Sequence, residues 1–342
     1  MFQGAPIVSL RGVHLPILVT GAAGFIGSHV CLKLLERGDD VLGVDNLNDY
    51  YDPTLKRARL ARLLGLSKFS FLEIDIADPM ALARALSGQD INKVIHLAAQ
   101  AGVRYSLENP RAYIRSNISG HLEVLEFCRG CPGFEHLVYA SSSSVYGGNR
   151  KVPFSESDRV DHPVSLYAAT KKSDELMSHT YGHLFGVRQT GLRFFTVYGP
   201  WGRPDMAYWI FTKAILEGKP IRVFNNGAMW RDFTYIDDVV EAVLAVLDKP
   251  PLTDIPSARL YNVGNNQPAR LGDFIDILER LLGVTANRQS ETMQPGDVAQ
   301  TFADMTLLEQ DFGFKPRTSL ESGLGKFVNW YQSEWTGITR AL

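Results

Sequence analysis

Between residues 16 and 199 the chain alternates short apolar runs with amphipathic stretches of helix length. The runs are "ILVT" (17–20), "VLGVD" (41–45), "FSFLEID" (69–75), "KVIHLAA" (93–99), "FEHLVYASS" (134–142, the strand itself starting at His136 or Leu137) and "VRQTGLRFF" (187–195). One such stretch, Ser28 to Arg37, is closed by Gly38. Strands that alternate with helices predict an α/β fold built on a doubly wound parallel sheet.

Past Gly199 the rhythm changes. Trp, Pro and Gly crowd into "GPWGRPDMAYW", and two helices are expected over Ile210 to Glu217 and Ile236 to Leu247. A short strand is expected near "RLYNVG" and a closing helix over "LESGLGKFVNWYQSEW". This predicts a polar leader over 1–15, a first domain over 16–199, and a smaller C-terminal α/β lobe over 200–342 that packs on the carboxyl edge of the sheet. One segment of that lobe could return to the sheet.

Composition narrows the function classes. Apolar residues make up 45% of the chain and charged ones 21%, with a formal net charge of −2. No global attraction to nucleic acid or an anionic membrane follows, so an anionic ligand must be held by local groups. No apolar run reaches the about 18 residues of a membrane span, and nothing at the start reads as a signal peptide. Cys31, Cys128 and Cys131 form no disulfide framework, which points to a reducing cytoplasm. Cys128 and Cys131 have C-x-x-C spacing, but a zinc site needs a second pair. Cys128 sits among apolar residues at helical spacing and reads as core. His29, His96 and His121 lack metal spacing, so no metal is expected.

"VTGAAGFIGSHV" sets Gly21, Gly24 and Gly27 at G-x-x-G-x-x-G spacing, directly after one strand and opening a helix. The first glycine allows a tight turn, the second a close approach to a pyrophosphate, and the third close packing of helix on strand. Asp45 ends the next run, where a carboxylate can accept both hydroxyls of an adenosine ribose, favouring NAD over NADP. Asp75, at the end of the third run, reads either as an adenine contact or as the N-cap of a helix over "PMALARAL".

Among the thirteen tyrosines only Tyr167 has a lysine, Lys171, four residues on. At that spacing both side chains leave one face of a helix, and an ammonium beside a phenol favours phenolate, a base near neutral pH. Upstream, "ASSSSVYGG" ends a buried strand in four serines. They raise the question of which reaction wants neutral hydroxyls there and no carboxylate. The plain alternative is that Ser143, Ser144 and, later, Thr196 only cap strand ends.

These residues resemble the extended short-chain dehydrogenase/reductase family of nucleotide-sugar enzymes, and within it the UDP-glucuronate 4-epimerases. "VTGAAGFIG", "VDNLNDYYDPTLKRARL", "HLAAQAGVRYSLENP", "SSSSVYG", "LYAATKKSDELM", "GLRFFTVYGPWGRPDMA", "RDFTYIDDVVEAV" and "QPGDV" carry the resemblance over almost the whole chain. It implies a Rossmann-type sheet, a homodimer paired through the helices beginning near Tyr113 and Tyr167, and a hydride cycle with bound NAD at C4 of a UDP-sugar. Tyr167 would move the proton of the 4-hydroxyl, Lys171 would hold the nicotinamide ribose, and Ser142 would bond the reacting oxygen. The cofactor contacts it implies are Gly21, Ala23, Gly24, Phe25, Ile26, Gly27, Asp45, Asn46, Asn48, Asp75, Ile76, Leu97, Ala98, Ala99 and Asn117, together with Tyr167 and Lys171. For the substrate it implies Ser142, Ser143, Ser144, Thr196, Arg203, Arg231 on the diphosphate and Asp297 on a ribose, with Arg104 near the sugar carboxylate. Gln294 stands where many UDP-galactose epimerases carry arginine.

Hexose-dehydrating relatives carry an Asp-Glu pair where Ser143 and Ser144 stand, so the acid and base for dehydration are missing. Hydroxyls there suit a sugar with a C6 carboxylate, which an Asp or Glu would repel. The remaining alternatives are a neutral UDP-hexose or UDP-N-acetylhexosamine 4-epimerase, a UDP-glucuronate decarboxylase, and a non-catalytic NAD-binding regulator.

Overall fold

The computed structural model describes residues 15–252, 258–293 and 298–340, with side chains to residue 338. Asp297, Gln294 and all of the leader but Leu15 therefore lie outside the described residues.

The first strands are β1 (Ile17–Thr20), β2 (Val41–Asp45), β3 (Phe69–Glu73), β4 (Lys93–His96), β5 (His136–Ser142) and β6 (Gln189–Phe194). After them come β7 (Thr196–Tyr198), β8 (Ile221–Phe224), β9 (Trp230–Tyr235), β10 (Ala258–Val263), β11 (Pro268–Arg270) and β12 (Arg288–Glu291). Seven strands form one sheet in the order β10-β6-β5-β4-β1-β2-β3, every neighbouring pair parallel. The order reverses between β1 and β4, and that reversal places a ligand crevice beyond the strands' carboxyl ends.

The helices are α1 (Phe25–Arg37), α2 (Pro53–Leu64), α3 (Ala81–Ala85), α4 (Tyr105–Glu108), α5 (Pro110–Tyr113), α6 (Gly120–Gly130), α7 (Leu166–Phe185), α8 (Ala207–Leu216) and α9 (Ile236–Leu247). A π-helical stretch, Ile114–Ser119, joins α5 to α6. Beyond α9 lie α10 (Leu271–Leu282), α11 (Thr306–Phe312) and α12 (Leu320–Trp330), the last continued by a π turn over Tyr331–Trp335.

Several runs end earlier than their apolar character suggests. "KVIHLAA" is strand only to His96: β1 turns away at Gly21, so Leu97 has one last bond, to the Thr20 carbonyl, and no ladder beyond it. "FSFLEID" stops at Glu73, which frees Ile74 and Asp75 for the crevice. Conversely, α8 starts three residues before the expected Ile210, because the apolar pattern extends back through Tyr208 and Trp209, both buried. The expected strand near "RLYNVG" is β10, which adds to the sheet beside β6 rather than staying with the lobe around it.

Candidate active site

At the switch point Gly21 has φ +74, a left-handed turn, and a Cβ there would stand 2.7 Å from the Ala98 nitrogen. A Cβ on Gly27 would drive into the Gly21 carbonyl, so α1 lies against the turn only because that position is glycine. Gly24 caps α1 without a side-chain bond, leaving the helix's first N–H groups open to an anion. Gly21, Gly24, Phe25, Ile26 and Gly27 all line one cavity, with Leu97, Ala98 and Ala99 on its other side. This loop fits the pyrophosphate of a dinucleotide.

Towards β2 and β3 the wall becomes polar. Asp45 is buried and accepts from the backbone N–H of Ala23 at 3.1 Å and of Leu47 at 2.9 Å. Burial pushes its carboxyl above the usual range, and nearby Lys56 opposes that rise. Asn46 and Asn48 follow in a ladder of side-chain turns, the Asn46 side chain accepting from Asn48 N–H and the Asn48 side chain from Tyr50 N–H. Asp75 accepts from Ala77 N–H at 2.9 Å and from Arg115 at 3.0 Å, beside Ile76. It is not an N-cap: α3 begins only at Ala81, after Met80.

At the other end of the cavity β5 finishes in Ser142, whose hydroxyl accepts from Ser144 N–H at 3.1 Å and so caps a short 3-10 turn over Ser143–Tyr146. Ser165 caps α7 by accepting from Ala168 N–H, which puts Tyr167 in the first turn and Lys171 one turn on. Ser142, Tyr167 and Lys171 share the cavity wall with Ala140 and Ser141. The Lys171 ammonium donates to the Ala140 carbonyl at 2.9 Å and to Asp174 at 3.0 Å. Beneath them lies a buried polar layer. Arg193 grips Glu175 through two bonds of 2.7 and 2.9 Å, and Ser141 donates to the same carboxylate at 2.7 Å.

The third wall comes from the C-terminal lobe. Arg203 lines the cavity but is committed to Asp205, which also accepts from the Tyr50 hydroxyl at 2.9 Å. Buried Arg59 of α2 ties the two sides together, donating to the Ala23 carbonyl in the glycine turn and to the carbonyls of Trp201 and Gly202.

Some expected residues stand elsewhere. Ala23 spends its N–H on Asp45. Asn117 is buried, bonding both the N–H and carbonyl of Gln100 and the Thr170 hydroxyl, so its side chain braces the loop after β4 against α7. Ser143 and Ser144 open the 3-10 turn outside the cavity wall, and the capping hydroxyl is that of Ser142. Thr196 is half-buried and is not among the wall residues, although Phe195 and Val197 on either side of it are. Arg231, on β9, donates to the Trp230 carbonyl, and the Arg104 guanidinium lies 5.1 Å from the centre of the Phe224 ring.

Sequence reasoning overlooked Tyr50, Lys56 and Arg59, although "NDYYDPTLKRARL" contains them. Lys56, Arg59, Leu60 and Leu63 share the buried face of α2, and that 3-4 spacing was the available signal. Among the described residues no group of three or more His, Cys, Asp or Glu could hold a metal. Cys128 is buried and Cys131 half-buried, both unpaired. No helix among those residues is long and apolar enough to cross a membrane.

A family model for the NAD dependent epimerase/dehydratase family matches residues 17–264. The chain belongs to that family. Within it, the chain is similar to UDP-glucuronate 4-epimerase 4 of Arabidopsis thaliana, 51% identical over 337 residues that make up 95% of this chain and 77% of that one. Protein CapI of Staphylococcus aureus is 50% identical over 92% of this chain and 98% of its own length. In three dimensions the fold matches the UDP-glucuronic acid 4-epimerase of Bacillus cereus, solved with UDP-glucuronic acid and NAD. Their TM-score is 0.87 at 35% identity, covering 96% of this chain and 100% of that one. The family's cofactor suits the glycine turn, the open N-terminus of α1 and the Asp45 pole.

Proposed function

We propose that the chain is a UDP-glucuronate 4-epimerase that interconverts UDP-glucuronate and UDP-galacturonate. The observation that carries this reading is the separation of hydroxyls from carboxylates along the cavity. Ser142, Tyr167 and Lys171 line one end, whereas the acidic wall residues, Asp45 and Asp75, follow β2 and β3. In the sheet β5 lies three strands from β2, about 14 Å at the usual strand spacing. Dehydration of a hexose needs an acid and a base at the sugar, and neither carboxylate reaches it. Similarity to the UDP-glucuronate 4-epimerases of Arabidopsis thaliana supports the uronate.

NAD, when bound by the glycine turn and Asp45, supplies a hydride acceptor and donor for the sugar's C4. Tyr167 takes the proton of the 4-hydroxyl and later returns it, Lys171 favours the phenolate electrostatically, and the Ser142 hydroxyl donates to the reacting oxygen. The turn opened by Ser143 and Ser144 places neutral groups beside Ser142, which spares a C6 carboxylate repulsion. Arg231 is our proposed diphosphate contact.

Two features support a homodimer in a reducing cytoplasm. Ile114 and Leu122, around the start of α6, and Leu176 and Leu184 of α7 are exposed at helical spacing, an apolar surface that a second copy would cover. The three cysteines are unpaired.

The test is proton NMR of the purified protein with UDP-glucuronate and no added NAD. Appearance of UDP-galacturonate supports the proposal. A UDP-pentose would replace it with decarboxylation, and no change would redirect it to neutral UDP-hexoses.

A further inference from the structure

We infer that Asp174 is a positioning residue for Lys171, fixing the direction of its ammonium and screening its charge at Tyr167. This rests on the reading of Tyr167 as the proton acceptor. Three residues past Lys171 on α7, Asp174 lies on the same side of the helix and one turn deeper. The two side chains are 3% and 1% exposed and meet at 3.0 Å. An ammonium has three donors. With one N–H on Asp174 and another on the Ala140 carbonyl, one is left for the cavity. A lysine without that double hold would keep its four-carbon stem free to swing.

The same contact tunes the charge that Tyr167 feels, beside two further groups that face it: the Arg203 guanidinium, itself paired with Asp205, and Tyr113, which burial raises and keeps a phenol. On α7 the other acid near Asp174 is Glu175, which is neutralised by Arg193 of β6. His121 of α6 and His96 of β4 sit near Lys171, and burial pushes both well below the usual histidine range, so they are neutral. Tyr139 of β5 is raised by burial and stays a phenol. Among the described residues Lys171 is therefore the one cation that answers Asp174. The second oxygen of Asp174 has no partner among the described residues, and burial lifts its carboxyl to about 6 against the pull of Lys171. Above that range the pair is close to neutral, and the ammonium's field at the phenol is weakened.

Seven residues separate Tyr167 from Asp174, about 10 Å along a helix. One unit charge at that distance and an effective dielectric near 20 corresponds to a shift of about one pH unit. Asp174→Asn keeps an oxygen for Lys171 and removes the charge. Its acid limb of kcat/KM is expected about one unit lower than in the parent protein, with plateau kcat within a few-fold and NAD still bound. Asp174→Ser, which cannot span the gap, should lower kcat at every pH.

Profiles of UDP-glucuronate turnover are recorded for the holoenzyme, for both variants and for Tyr167→Phe. Phenolate absorbance, taken as the difference from the matching protein that also carries Tyr167→Phe so that the other twelve tyrosines cancel, follows Tyr167 and reads even a variant too weakened for turnover. An acid limb and a phenolate transition that both stay in place in Asp174→Asn would overturn the inference, whatever happens to stability. Turnover retained by Tyr167→Phe would instead overturn the assignment of the base, a separate failure.

Discussion

The Tyr50 hydroxyl donates to the Asp205 carboxylate at 2.9 Å, joining the loop after β2 to the loop before α8. Tyr50 packs so closely on Gly102 that a Cβ there would meet its hydroxyl at 2.5 Å. Burial, with the Asp205 charge beside it, raises the phenol and keeps it a donor. Both loops border the dinucleotide cavity, so the bond works as a clasp. Removing it with Tyr50→Phe should cost about 1 kcal/mol, the contact being partly exposed. The expected outcome is about fivefold faster release of bound NAD, measured by stopped-flow displacement, with smaller effects on sugar binding.

Tyr167→Phe should leave UDP-glucuronate binding within a few-fold by calorimetry. Turnover should fall by about 100 to 10,000-fold, the usual worth of a positioned acid-base group.

Glu175 and Arg193 are each 1% exposed, and the pair carries the floor of the site. Despite burial, the Arg193 fork holds the Glu175 carboxyl below its ordinary range. Glu175→Leu alone strands a buried guanidinium and should cost about 3–5 kcal/mol in urea unfolding. Adding Arg193→Met should recover a large part of that loss, because no fully buried charge is then left unpaired, the other partner of Glu175, Lys172, being half-buried and able to reach water.

The sheet, the glycine turn and the two residues Tyr167 and Lys171 were readable because each depends on local spacing. Apolar runs of strand length, glycines around a turn and an i, i+4 pair leave their mark within a dozen residues. What escaped depends on contacts far apart in the chain. Arg59 reaches 142 residues to the Trp201 carbonyl, and Tyr50 spans 155 to Asp205, distances over which no periodicity carries information. The bonds of Asn117 to Gln100 and Thr170 were equally hidden, since those partners come together only when α7 docks beside the loop after β4.

Acid should weaken the fold through its buried histidines. Burial lowers His29 and His96 to about 3 and His136 to about 4, and holds His121 well below its usual value. Once unfolded, all four return to about 6.5. Their contribution is complete above that value and is lost as pH falls through it, because the unfolded chain then binds more protons. Asp174 and Asp232, raised to about 6 by burial, act in the opposite sense between about pH 6 and 4. For these six groups the balance near pH 5.5 is uptake of about two protons on unfolding, reduced by Asp45, Glu156 and Asp237, which burial also raises; the sign is read from the slope of unfolding free energy against pH.

The polypeptide leaves the seven-stranded sheet after Phe194, comes back at Ala258 and departs again after Val263. The two halves are thus sewn together, not hung from a single thread. A recombinant exchange of everything beyond Gly199 with a relative would carry away β10 as well, and with it the ladder that closes the flank of β6. Such hybrids would have to match two surfaces at once, the cavity wall around Arg203 and a sheet edge prone to pair with other chains when bare. Swapping the lobe while leaving Ala258–Val263 native is the graft this topology permits.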